Sequence, residues 1–188
     1  RLQRGTKLVE KRYDLKIRYL DKSKMKEEVA LIKSIYNEAW EDNWGFVPLT
    51  DKEIEAMADE LKPLAVKELI VFAEVNGECV GFGLAMPDYN AIIKKMNGNL
   101  FPFNFLRFFL QKKAMKFARV ITLGLRPKWQ KKGIDAVIYR ELVKGAKIHN
   151  LPFGEASWIL ENNVMMNRGL VSMGGEVYKK YHVYIKEI

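Results

Sequence analysis

A single cysteine, Cys79, and two histidines, His149 and His182, are spread through 188 residues. One thiol forms no intrachain disulfide, and a Cys-rich metal site is excluded. The histidines lie far apart, without His-x-x-x-His or cysteine partners, so no metal is assigned. Long apolar runs are missing too, since none reaches the roughly 20 residues that a spanning helix needs. Arg1 to Arg12 is studded with charge and lacks the apolar core of a signal peptide. There is no arginine-aromatic platform and no helix-turn-helix pattern, so nucleic acid is not an expected partner. A reducing cytoplasm is the expected location. The first residue is Arg1 rather than Met, and a processed product or a fragment of a longer protein is expected.

What is present is enough apolar side chain, 48% of the residues, for one sizeable core. Against 23 acidic residues stand 32 basic ones, a formal charge of +9 that solvates the surface or attracts polyanions such as CoA, RNA or anionic lipid. Leu15, Ile17 and Tyr19 alternate with Lys16 and Arg18, which predicts a first strand. Val29, Ile32, Ile35, Tyr36, Ala39 and Trp40 recur at helical spacing. Thr50 with Glu53 is a capping box opening a second helix that turns Ile54, Met57 and Leu61 inward and stops near Pro63. Leu69 to Val75 and Cys79 to Met86 flank Asn76-Gly77, a hairpin signal. A fourth strand, Val120 to Leu125, leads through a glycine turn to a helix carrying Ile134, Val137, Ile138 and Leu142. A fifth strand at Gly154 to Leu160 follows, then a helix with Met166, Gly169, Leu170 and Met173 on one face. Val177 to Ile185 is expected to supply terminal strand material.

The turn between the fourth strand and its helix contains Pro127, Gln130, Lys131, Lys132, Gly133, Ile134 and Asp135. A helix start with free N–H groups and a glycine beside it favours a phosphate. Gln130 and Gly133 match Gln/Arg-x-x-Gly-x-Gly/Ala, and the turn resembles the acyl-CoA pyrophosphate loop of the GNAT superfamily of N-acetyltransferases. Asp135 departs from the small residue at the last position. The element order also resembles that fold, an α/β (α+β) arrangement with a mixed central sheet flanked by helices. Tyr36 to Pro48 and Trp158 to Asn163 resemble the carboxy-terminal GNAT domain of bacterial two-domain proteins of unassigned substrate. By that resemblance residues 1–14 are a linker helix or tail, residues 15–188 form a single GNAT-like domain, and an amino-terminal domain has been lost.

The resemblance implies an acyl-CoA site along Leu123, Gly124, Leu125, Gln130, Lys131, Lys132, Gly133, Ile134 and Asp135, with Asn163 near it. Gly124 is expected to serve either a bulge that exposes N–H groups to the pantetheine arm or a tight contact. The family's acid is often a tyrosine seven residues after an asparagine near the start of the helix that follows the fifth strand. Counted from Asn163, that place holds Leu170. The nearby phenols are Tyr139, Tyr178 and Tyr181. No carboxylate stands at Ile121, Thr122 or Leu123, while Glu155, Ser157 and Glu161 could face a splayed cleft. Glu161 and Tyr178 are the catalytic candidates. Asn162 and Asn163 also suit helix caps. Trp40, Asp42, Trp44 and Phe46 form an aromatic and acidic surround suited to a cationic amine, or core in the case of Trp40.

Leu100 to Lys116 is apolar and then basic. A buried lid is preferred over a partner or dimer face and over contact with a membrane. The expected function is transfer of an acyl group, acetyl above all, from acyl-CoA to a small-molecule or peptide amine. The alternative is a catalytically silent GNAT-fold module that binds CoA or a partner.

Overall fold

Asn76 and Gly77 both take left-handed backbone, with φ of 51° and 80°, and close the hairpin that their dipeptide predicts. The computed structural model describes residues 2–41, 43, 45–97, 103–112 and 115–186. Its five-stranded sheet follows chain order: β1 (Lys16–Tyr19), β2 (Ile70–Val75), β3 (Glu78–Pro87), β4 (Phe117–Leu125) and β5 (Phe153–Ala156). The first three junctions are antiparallel, whereas β4 and β5 run parallel. The helices are α1 (Leu2–Tyr13), α2 (Met25–Trp40), α3 (Asp51–Leu61), α4 (Asn90–Met96), α5 (Phe103–Lys112), α6 (Ile134–Ile148) and α7 (Val164–Ser172).

Alternation along the strands divides the core between two faces. Val71, Ala73, Val80, Leu123 and Leu125 meet Ile134, Val137, Ile138 and Leu142 of α6. Phe72 and Phe82 point the other way and pack with Ile35 of α2. Each such side chain, fully buried, contributes about 1.5–3 kcal/mol relative to exposure. The crossover from β4 to β5 is α6, the connection that a parallel pair requires. Thr50 and Glu53 close the capping box of α3 reciprocally.

On the far side of α6 lies α1, clamped by Arg140. That guanidinium donates to Thr6 Oγ1 at 2.7 Å, to Glu10, and to Glu141 at 2.8 Å. Glu141 also accepts from Lys144 at 2.7 Å and from the Tyr19 hydroxyl at 3.1 Å. Burial pushes the Glu141 carboxyl up, but hydrogen bonds from Lys144 and Arg140 outweigh it and hold the group below its usual range. His149 does the same for Glu68 by a hydrogen bond, at 2.8 Å. A carboxylate depressed in the folded state contributes stability above its unfolded pKa and loses it as pH falls through the folded one. Thermal unfolding should therefore shift downward as pH drops below about 4.5, the ordinary glutamate value. Glu141→Gln should shrink that drop, and an acid shift identical in the variant and the parent would contradict this role.

Four expectations are corrected. Met57 is 45% exposed, because α3 packs on α2 rather than on the sheet and only Ile54 of the described α3 side chains reaches the interior. The fifth strand stops at Ala156 rather than Leu160, leaving Trp158 outside it and 81% exposed. Residues 175–186 form no strand, for β-rich composition makes a strand only where an edge pairs with it, and β5 is four residues long. In the stretch 100–116, Leu106 and Leu110 face outward, so these two of the described side chains are not buried as a lid would have them.

Candidate functional site

The shortness of β5 leaves the second half of β4 without a described partner strand on that edge. Pairing runs from Phe117 with Phe153 to Val120 with Ala156, and a last bond joins Ser157 N–H to the Val120 carbonyl at 3.0 Å. Beyond it β4 continues to Leu125 with no described strand on that edge. At the parting, Leu84 of β3 faces Thr122 while Ala85 faces Val120, so Ile121 is the extra residue of a bulge. The bulge expected at Gly124 therefore lies at Ile121. Gly124 answers instead to a tight contact: a Cβ there would stand 2.5 Å from Cζ3 of Trp40 and 3.2 Å from Phe82.

Trp40 stacks on Tyr36 at 4.7 Å, and Tyr36 meets Phe46 at 5.8 Å, so α2 and the loop after it set an aromatic wall over β4. Asp42 and Trp44 lie outside the described residues. Thr122, on the same face of β4 as Gly124, keeps its buried Oγ1 without a hydrogen-bond partner among the described residues. An orphan hydroxyl of this kind asks for a ligand or water. Sequence reading passed over it, since only burial distinguishes this threonine from any other.

At the far end of β4 the chain turns through Pro127–Trp129 into α6. Lys131 and Gly133 are left-handed, with φ of 60° and 80°, and Gly133 starts the helix without a side-chain cap. The first turn of α6 thus has no side-chain cap on its N–H groups, and its macrodipole favours an anion there. Lys131 is exposed, and Lys132 lies 4.5 Å over the Trp129 ring. Trp129 in turn meets Tyr13 of α1 edge to face. Gln130 donates to the Leu125 carbonyl at 3.3 Å. The Leu123, Leu125 and Ile134 side chains are buried against the core, so only their backbones could meet a ligand. Asp135, in the first turn, adds its charge to the burial that pushes the Tyr139 phenol up to about 12. That phenol sits 3.2 Å from Met166 Sδ, away from solvent. Glycine, lysines and a helix start are groups that could hold a pyrophosphate, and the Asp135 carboxylate would oppose it.

The other candidates are dispersed. Asn163 caps α7, its side chain accepting from Met166 N–H at 3.2 Å. Glu161 is exposed and 3.7 Å from Lys180. Tyr178 is exposed as well, and a hydrogen bond to Glu155 holds its phenol above the usual range. Glu155 is paired at 2.9 Å with Arg119 across the β4–β5 ladder. Leu170, where the resemblance puts a tyrosine, packs against the core. A broad surface hollow beside Arg18, Asp21 and Lys24 lies at the opposite edge of the sheet, and its Arg18 is already tied to Glu28 and Glu74. Among the described residues no cluster of His, Cys, Asp and Glu could hold a metal, and no helix is long and apolar enough to cross a membrane.

No family model matches the chain. It is 35% identical over 181 residues to "Protein YghO" of Escherichia coli K12, covering 92% of this chain and 46% of that protein. It is 33% identical over 178 residues to "Bacterial ceramide synthase" of Caulobacter vibrioides, again covering 92% and 46%. The chain thus spans about half the length of the curated relatives it matches. Among solved structures, aminoglycoside N-acetyltransferase AAC(6')-Iy in complex with CoA superposes with a TM-score of 0.58 at 12% identity, covering 93% of this chain and 95% of that one. Shared with such acetyltransferases over nearly its whole length, this architecture is the GNAT superfamily fold.

Proposed function

We propose that the chain is an acyl-CoA-dependent N-acyltransferase that passes its acyl group directly to an amine. The observation that carries this reading is the parting of β4 from β5 at a buried, unpaired Thr122 hydroxyl, on the strand that also leads to the glycine-started α6. The pyrophosphate of CoA would rest on the first-turn N–H groups of α6 beside Lys131 and Lys132, and the pantetheine arm along the free edge from Leu123 to Leu125. The amine would enter from the wall of Trp40 and Phe46.

In direct transfer the amine nitrogen attacks the thioester carbonyl, a C–N bond forms, the C–S bond breaks, and the amine loses a proton. Donors aimed at the carbonyl oxygen are the main requirement, and the Thr122 hydroxyl and the N–H groups of the Ile121 bulge are the available ones. Tyr178, kept protonated by Glu155, is the phenol open to solvent beside β5, and Glu161 is a carboxylate that could take up the amine proton. A thiol of pKa about 8.5 leaves without a strong acid, so Leu170 does not forbid turnover.

The likeness to a protein named bacterial ceramide synthase favours a narrower reading. A ceramide is the amide of a fatty acid and a long-chain amino alcohol, a product that N-acylation makes. The protein should be incubated with acetyl-CoA or palmitoyl-CoA and a pool of amines that includes long-chain amino alcohols. Amine-dependent release of free CoA thiol with a matching amide product is expected. Saturable CoA binding with no amide from any acceptor would mark a silent module instead.

A further inference from the structure

Adjacent antiparallel strands need only a tight turn between them. Between β3 and β4 this chain instead inserts α4 and α5, and insertions of such length are commonly functional. We propose that this α4–α5 arm docks the protein on the surface of an anionic lipid bilayer.

The arm presents apolar side chains outward as well as inward. Asn104 and Phe108, one turn apart on α5, face α4: the Asn104 side chain donates to the Met96 carbonyl at 3.3 Å, and the Phe108 ring stacks on Tyr89 at 5.4 Å. Leu106 and Leu110, also one turn apart, point the opposite way and are 63% and 70% exposed. An ordinary surface helix carries polar residues there. Ile93 of α4 is 53% exposed, next to Lys94 and Lys95. Where the arm rejoins the sheet, Phe117 and Phe153 stack at 5.1 Å while about half exposed, with Lys116 alongside. Among the described side chains, the outward surface of the arm is thus leucine, isoleucine and phenylalanine with Lys94, Lys95 and Lys116 alongside.

Charge selects the occupant. From Tyr89 to Phe117, the span of the arm and its return to the sheet, there is no Asp or Glu and there are six Lys and Arg. Apolar side chains inserted among unopposed lysines suit the boundary of an anionic membrane. A second copy of this chain would set lysines against lysines, and a nucleic acid would meet leucines where it needs donors. The docking surface rests on these residues alone and is independent of the acyl-transfer reading.

The test is sedimentation of the full chain with phosphatidylcholine vesicles containing about a third phosphatidylglycerol, at low salt. The chain should pellet with them, and should stay in the supernatant with pure phosphatidylcholine. The paired change Leu106→Glu with Leu110→Glu should weaken partition at least about tenfold, since it removes both apolar anchors and adds two like charges to the lipid's own. Both positions are exposed, so helicity by circular dichroism and acetyl-CoA binding in solution should persist, which separates failure of docking from failure of the cofactor site. Lys94→Ala and Lys95→Ala should each weaken partition about fivefold. Recovery of the parent in the supernatant with anionic vesicles would overturn the proposal. So would undiminished pelleting of the leucine variant, or displacement of the parent from the vesicles as a dimer or by RNA.

Discussion

Gly133→Val is expected to weaken acyl-CoA binding about 10- to 100-fold, roughly the loss of one charge-assisted hydrogen bond at about 1.5–3 kcal/mol. Gly133 sits at φ of 80°, where a side chain costs about 1–2 kcal/mol of backbone strain. Its neighbour on the inner side, Val9 Cγ2 at 3.1 Å from an added Cβ, can yield by a few tenths of an ångström, so the packing penalty is small. What valine cannot avoid is standing at the mouth of the first turn of α6, where the phosphate oxygens would reach the N–H groups. Thermal unfolding should fall modestly while calorimetric titration with acetyl-CoA should show the weakened affinity. A variant that binds like the parent would place the pyrophosphate somewhere other than this turn.

The second large effect is expected at Gly124, and it couples to Trp40. A Cβ 2.5 Å from Cζ3 and 3.0 Å from Cη2 of the Trp40 ring leaves no room without displacing the indole. Gly124→Ala should cost about 1–3 kcal/mol, the usual range for overpacking. Trp40→Leu should be destabilising by itself, because it gives up the stack on Tyr36. Together they should be less harmful than the sum of the two by about 1 kcal/mol or more, since leucine vacates the space that alanine needs. The acceptor's KM should rise in Trp40→Leu with acetyl-CoA binding little changed, if the aromatic wall receives the amine. Strict additivity in unfolding would remove Trp40 from the contact, and an unchanged KM would remove it from the acceptor site.

How much of this was legible in the sequence depended on whether the rule involved was local. The Asn76-Gly77 hairpin, the Thr50–Glu53 capping box and the apolar stripe of α6 are set by neighbours in sequence, and each stands where the pattern puts it. The bulge was read at Gly124 because a glycine in a strand is a visible mark. Its actual place, Ile121, is fixed by the register of β4 against β3, which no single strand discloses. Val177 to Ile185 has strand composition yet forms no strand among the described residues, because pairing is a property of two edges. Phe101 to Leu110, broken only by Asn104 and Arg107, shows no clean period, so the outward turn of Leu106 and Leu110 emerged only with the helix itself.

The site divides in the same way. The glycine turn and its lysines were visible as a motif. The Thr122 hydroxyl, the Arg119–Glu155 pair and the Tyr178 phenol on Glu155 are juxtapositions across strands and became visible only in the fold. Asn163, named for the cofactor by resemblance, is engaged as the cap of α7.

Calorimetric titration of acetyl-CoA into the unmodified protein, with Gly133→Val run beside it, tests the central claim most directly. A saturable isotherm in the micromolar range, at roughly −8 kcal/mol of binding free energy, that weakens about 10- to 100-fold in the variant is the predicted result. No heat of binding in the parent would contradict the acyl-CoA site and leave the chain a GNAT fold put to another use.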